Sequence, residues 1–267
     1  MNWFDKLDQT PVTYLVLLAY ITLAFLTDPI QPPVLELINY GASSPLLVQD
    51  GQLWRLLAAA FLHGGLLHLA FNAYCMAMLG PALESSIGSL RFALLYVVAA
   101  VGGNIVATIW SWSPAGLVVG GSGAIFGICG AMIAISMRRG RHLFEFLDFA
   151  GPRSLLWMLG INLLIGFLVE EIGNAAHIGG LIAGFALAFV FLHRGRNERI
   201  DGPSRLIQLG WVALFVSLLC YCRYPVGNRL FVLVRQDVQS LNEASWQTLA
   251  DQLSAPEREA YSRLRER

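Results

Sequence analysis

The stretch FALLYVVAAVGGNIVATIWSWSPAGLVVGGSGAIFGICGAMIAISM, residues 92–137, contains no Asp, Glu, Lys or Arg. A membrane-spanning helix needs about 20 mostly apolar residues, so this stretch is long enough for two spans. Within it, the hydroxyl of Ser122 lies among glycines in the run Gly120–Gly123. We therefore expect a serine at membrane depth or just below the membrane surface.

The composition of the whole chain is that of a membrane protein. Its 267 residues are 56% hydrophobic and 13% charged, whereas soluble domains carry about 25% charged residues. This predicts an all-α polytopic membrane protein with one helical bundle. The net charge of zero gives no basic surface for nucleic acid. The four cysteines, at positions 75, 129, 220 and 222, have neither disulfide-framework nor zinc-site spacing, so we expect no metal and no cofactor.

Charged residues divide the chain into seven candidate spans. They are residues 10–27, 66–83, 92–110, 122–137, the run between Arg153 and Glu170, 175–192, and the run between Arg205 and Arg223. The long connection at 28–65 is predicted to pack as a loop partly embedded in the membrane, because structureless connections of this length are uncommon. We expect a six-span core at 1–205, a seventh span at 206–222 and a polar tail at 223–267.

The arginines indicate the orientation of these spans. They cluster in two connections that lie on the same side of the membrane under this count, at positions 138, 139, 141 and 153, and at 194, 196, 199 and 205. The positive-inside rule makes that side cytoplasmic. Ser122 and His177 then open spans four and six at the outer face.

Small residues predict which spans pack together. Gly123 and Gly127 form a stripe on span four, and Gly180 and Gly184 form a matching stripe on span six. Such faces let helix backbones approach closely. Docking the two stripes leaves Ser122 and His177 at similar depth.

A serine and a histidine at this position suggest nucleophilic catalysis. A serine hydroxyl needs a base to take its proton, and histidine supplies one near neutral pH. No acid lies near His177 at its depth, so we expect a Ser122–His177 dyad oriented by packing. The free backbone N–H of Ser122 at a helix N-terminus is a candidate donor to an oxyanion.

Span two carries His68 and Asn72, four residues apart and therefore on one helical face. Their side chains suit an oxyanion hole. They suit equally a buried hydrogen-bonded pair that only joins helices, and for the pair alone that structural reading is the more common one.

Taken together, four motifs resemble the rhomboid family of intramembrane serine proteases over about residues 49–194. They are Trp54-Arg55, the run FLHGGLLHLAFN at 61–72, the GxSG pattern at Gly120–Gly123, and AHIGG at 176–180. The resemblance implies a six-helix bundle, here with a seventh C-terminal helix. It also implies a multi-pass protein of the bacterial cytoplasmic membrane, with its active site toward the outer face.

The resemblance also implies roles for individual residues. Ser122 would be the nucleophile and His177 its base, with His68, Asn72 and the Ser122 N–H in the oxyanion hole. Structural or supporting positions are Trp54, Arg55, His63, Phe71, Gly120, Gly123, Phe126, Gly127, Gly180 and Gly184. Phe126 departs from the family, which often has a tyrosine there, so stacking under the histidine survives without the tyrosine hydroxyl.

Three classes of function are then open. The first is a serine endopeptidase that cleaves transmembrane protein substrates among membrane lipids through an acyl-enzyme. The second is a catalytically silent rhomboid-like protein that binds membrane clients, although such proteins usually lack the serine or the histidine. The third is a small transporter or channel, against which the absence of internal repeats argues. Oligomeric state is not indicated by the sequence.

Overall fold

The computed structural model describes residues 9–49, 51–110, 116–138, 174–191, 205–222, 243–251, 258 and 262. These residues form the helices α1 (Pro11–Leu26), α2 (Val34–Tyr40), α3 (Pro45–Gln49), α4 (Arg55–Ala58), α5 (Leu66–Ile87), α6 (Ser89–Trp110), α7 (Ser122–Arg138), α8 (Asn174–Phe191), α9 (Arg205–Tyr221) and α10 (Glu243–Ala250), with a 3-10 turn at Ala59–Phe61. The predicted fifth span and most of the tail lie outside the described residues.

Three of the described helices are long and apolar enough to cross a membrane, namely α5, α6 and α8. The apolar helices α1, α7 and α9 are shorter; a 17-residue helix such as α7 is about 25 Å long. The all-helical prediction is therefore confirmed for the described part of the chain.

Two helices extend beyond the predicted span limits, both around the turn between the second and third spans. Helix α5 continues past Glu84 to Ile87, and α6 begins at Ser89 rather than Phe92. Glu84 is fully buried, and its carboxylate accepts hydrogen bonds from the Val12 N–H, the Thr13 N–H and the Thr13 hydroxyl. Because these donors at the start of α1 satisfy the carboxylate, the charge does not end the helix.

The bundle is organised around α7, which is buried along most of its length. Helix α8 packs mainly on α7 and α6, while α1 packs on α5. The central apolar cluster includes Tyr20, Met76, Leu79, Phe92, Leu95, Ile128 and Cys129. The beginnings of α7 and α8 therefore lie together, at one end of a tightly packed three-helix group.

The connection between α1 and α5 folds into short helices that pack on the bundle. Arg55 holds it together, because its guanidinium donates to the carbonyls of Ile38 (2.6 Å) and Ala42 (3.1 Å) and to the Gln52 side chain (2.7 Å). Asn104 on α6 donates to the Leu56 carbonyl at 2.8 Å. The loop is thus an ordered part of the fold, as its length predicts.

Candidate active site

Ser122 is the first residue of α7, and the backbone before it is fastened to the loop at 28–65. Ser43 and Val118 exchange two backbone hydrogen bonds of 3.1 and 2.8 Å, and the Gly120 N–H donates to the Ala59 carbonyl at 2.9 Å. Gly120 has φ +121°, a left-handed conformation that favours glycine. These contacts place the serine hydroxyl at a defined point beside the loop.

His177 lies in the first turn of α8, and its Nε2 is 2.7 Å from Ser122 Oγ. The ring stacks on Phe126, with centroids 4.5 Å apart and an interplanar angle of 8°. His177 is buried, and among the described residues its Nδ1 has no hydrogen-bond partner. Stacking, rather than an acidic residue of the described part, therefore orients the imidazole.

The glycine stripes explain why these two side chains meet. A Cβ added to Gly180 would overlap the carbonyl oxygen of Gly123, and one added to Gly184 would overlap that of Gly127. Helices α7 and α8 thus touch backbone to backbone, which confirms the packing predicted from the two stripes. With the axes this close, the first turns of both helices bring Ser122 and His177 within hydrogen-bond distance.

His68 on α5 lies against the turn that precedes Ser122. A Cβ on Gly120 would be 2.6 Å from His68 Nε2, so glycine is needed there for space as well as for φ. The Gly64 N–H donates to His68 Nδ1 at 3.4 Å. A neutral imidazole that accepts at Nδ1 carries its proton at Nε2, and Nε2–H therefore faces the turn as a donor.

Asn72 lies one turn further along α5 and is buried. Its amide nitrogen donates to the His68 carbonyl at 2.9 Å. The structure thus brings His68 to the serine turn, whereas the Asn72 amide nitrogen donates within its own helix.

Among the residues predicted to support the site, Trp54 lies in the loop and Phe71 lies on α5. Trp54 lies over the Arg55 guanidinium at 4.6 Å and covers Gly41, where a Cβ would be 2.5 Å from its ring. Phe71 on α5 is 39% exposed, on the bundle surface. Neither Trp54 nor Phe71 is brought to the serine by the contacts described above.

His63 is buried between two rings, 4.6 Å from Tyr20 and 5.3 Å from His68 by centroids. Burial lowers the pKa of the His63 imidazole to about 3, so the ring is neutral near pH 7 and packs as an aromatic group. Tyr20 and its partner Tyr96 were not among the residues predicted for the site, although a polar group inside a span is a signal in its own right.

The sequence that forms this site matches a known family. The family model for the rhomboid domain matches residues 50–194, more than half of the chain. The chain belongs to the rhomboid family. It is thus an integral membrane protein, and helix α9 lies beyond the part that the rhomboid domain matches.

Several rhomboid relatives are similar over most of the chain. The rhomboid protease GluP of Bacillus subtilis is 33% identical over 82% of this chain and 41% of its own length. Rhomboid-like protease 1 of Toxoplasma gondii is 33% identical over 72% of this chain and 66% of its own. RHOMBOID-like protein 5 of Arabidopsis thaliana is 37% identical over 61% of this chain and 52% of its own. The chain thus spans about half the length, or less, of two of these relatives.

Proposed function

We propose that this chain is an intramembrane serine endopeptidase that cleaves membrane protein substrates. The observation that carries the proposal is the 2.7 Å approach of His177 Nε2 to Ser122 Oγ inside a helical membrane bundle. Rhomboid family membership supports it, as do two relatives that are named a rhomboid protease and a rhomboid-like protease.

The proposed reaction proceeds through an acyl-enzyme. His177 Nε2 takes the Ser122 proton while Oγ attacks the carbonyl carbon of the scissile peptide bond. The C–N bond then breaks, and His177 returns the proton to the leaving amine. A water molecule, activated in turn by His177, hydrolyses the ester and releases a carboxylic acid product and free Ser122.

The oxyanion formed in each step needs nearby donors. We assign the Ser122 N–H, which has no acceptor within the helix that it begins, and His68 Nε2–H, which faces the same turn. Asn72 completes the set if its side chain rotates away from the His68 carbonyl when substrate binds.

The remaining topology is part of the same proposal. We assign residues 1–205 to a six-span core, α9 to a seventh span and residues 223–267 to a tail. The arginine clusters favour a cytoplasmic position for the connections at 138–153 and 194–205, and we therefore assign the dyad to the outer side of a bacterial cytoplasmic membrane. Substrate helices would be cut near that boundary, where Ser122, only half-buried, is accessible to water.

The test uses purified full-length protein in liposomes with a single-span reporter protein. Wild type is expected to cleave the reporter and to be labelled by a fluorophosphonate probe, while Ser122→Ala and His177→Ala lose cleavage by at least about 10³-fold. Ser136→Ala, a buried serine near the other end of α7, serves as the matched control and should retain activity.

The outcomes separate the proposed classes of function. Reporter binding without cleavage or labelling of wild type would instead indicate a rhomboid-like protein that binds clients. Full activity in either dyad variant would refute the dyad itself. Solute flux through the liposomes that is independent of Ser122 would favour a transporter.

A further inference from the structure

Two buried tyrosines form a hydrogen-bonded pair beneath the proposed active site. The hydroxyls of Tyr20 on α1 and Tyr96 on α6 are 2.9 Å apart, and both side chains are buried. The Tyr96 hydroxyl donates to the Ala60 carbonyl at 3.3 Å. Its one proton is then used, so the Tyr20 hydroxyl is the donor to Tyr96.

The Tyr20 hydroxyl also contacts the turn that carries Ser122. A Cβ added to Gly121 would overlap that hydroxyl and lie 3.2 Å from the Ala60 carbonyl oxygen. The GxSG pattern leaves the position of Gly121 open to any residue. In this chain Tyr20 occupies the space, so only glycine fits beside the serine.

The Tyr20 ring also packs toward His68, on the other side of the proposed oxyanion hole. Its centroid is 4.6 Å from that of His63, whose ring in turn packs edge-on against His68 at 5.3 Å. Tyr20 therefore touches the turn that supplies the backbone donor, and through His63 it supports the side chain that supplies the second donor.

We propose that Tyr20, held by Tyr96 and the Ala60 carbonyl, is a positioning residue that sets the depth of the Gly121–Ser122 turn relative to His68. This inference rests on the proposed protease function and extends it to how the oxyanion hole is held in shape. Without the Tyr20 hydroxyl, the turn can sink into the vacated space, away from His68. Misplacement of reacting groups by about 1 Å can cost up to 10²-fold in rate.

The first test compares Tyr20→Phe and Tyr96→Phe with wild type in the liposome assay. We expect kcat to fall about 10-fold in each variant with KM unchanged, because donors to a transition-state oxyanion affect kcat. Tyr221→Phe changes an exposed tyrosine at the end of α9, and as the matched control it should behave as wild type. Rates are expressed per folded molecule, with thermal unfolding of each variant measured in parallel.

A size exchange tests the contact directly. Gly121→Ala alone is expected to abolish cleavage, since the methyl group meets the Tyr20 hydroxyl. On the Tyr20→Leu background, whose shorter side chain leaves room for the methyl group, adding Gly121→Ala should change kcat by less than about 3-fold, so that the two positions are strongly coupled. Equal losses from Gly121→Ala on both backgrounds would overturn the proposal.

The assay outcomes distinguish a failed positioning role of Tyr20 from a failed protease function. If wild type cleaves and Ser122→Ala does not, but Tyr20→Phe has wild-type kcat, the positioning role is refuted and the protease remains. A fall in rate that follows only the folded fraction would also refute it, because that result describes a purely structural tyrosine. If wild type neither cleaves nor labels, the protease function and the positioning role are both refuted.

Discussion

Replacing Gly180 by alanine should separate the two halves of the proposed dyad without touching either residue. The added methyl group would lie 2.7 Å from the carbonyl carbon of Gly123 and would overlap its oxygen. Ordinary contact begins at 3.4 Å, so the backbones of α7 and α8 must part by at least about 0.7 Å. Neither backbone can give way by rotating a side chain.

This separation acts directly on the dyad, because Gly123 follows Ser122 and Gly180 is one turn after His177. The distance of 2.7 Å between Ser122 Oγ and His177 Nε2 would rise to about 3.4 Å or more, beyond the range of about 2.6–3.2 Å in which a base takes a proton. We expect cleavage to fall on the order of 10²-fold. Overpacking of this kind also costs about 1–3 kcal/mol of stability.

The assay measures the rate of fluorophosphonate labelling of Ser122 alongside reporter cleavage, at temperatures where thermal unfolding shows the variant to be folded. Gly210→Ala is the matched control, because a Cβ at Gly210 meets no atom within 4 Å, and it should retain wild-type rates. Gly123→Ala, with its nearest atom at 3.3 Å, should fall between the two. Wild-type labelling of folded Gly180→Ala would refute the argument that close helix contact sets the dyad distance.

Two further predictions concern contacts beside and below the site. Phe126→Tyr keeps the ring under His177 and should retain cleavage within about 3-fold. Phe126→Ala removes the stacking and should lower kcat about 10-fold or more. Equal kcat in the two variants would show that stacking does not orient the imidazole. Glu84→Ala leaves the N–H groups at the start of α1 and the Thr13 hydroxyl without their buried acceptor. The free energy of unfolding should therefore fall by about 3 kcal/mol or more. This loss is measured as a lower midpoint of thermal unfolding in detergent. Ser85→Ala, an exposed neighbour, should leave that midpoint unchanged.

Much of this architecture follows from local patterns in the chain. Apolar runs predict α1, α7, α8 and α9 to within about two residues, because a span must be apolar over its length. A charged residue does not mark the helix end at Glu84, because α5 continues past this carboxylate to Ile87. The carboxylate's partners on α1 are 71 and 72 residues away in sequence, and no local pattern indicates them.

The sequence likewise predicts one part of the candidate site and not the other. The meeting of Ser122 and His177 was predicted from glycine spacing, since small residues at every fourth position define one helix face. His68 lies against the serine turn, as its position on α5 predicts. The Asn72 side chain instead bonds to the backbone of its own helix. Rotamers of this kind depend on neighbouring atoms rather than on residue spacing.

The sequence by itself determined a helical membrane bundle, the family motifs and the glycine faces that bring α7 and α8 together. These features depend on composition and on spacing within a helix, which are properties of the chain alone. Only the tertiary structure decided that Tyr20 fills the space beside Gly121 and that His177 Nδ1 has no partner among the described residues. Those contacts join residues from separate helices. They are therefore set by how the helices pack, and no periodic pattern in the sequence indicates them.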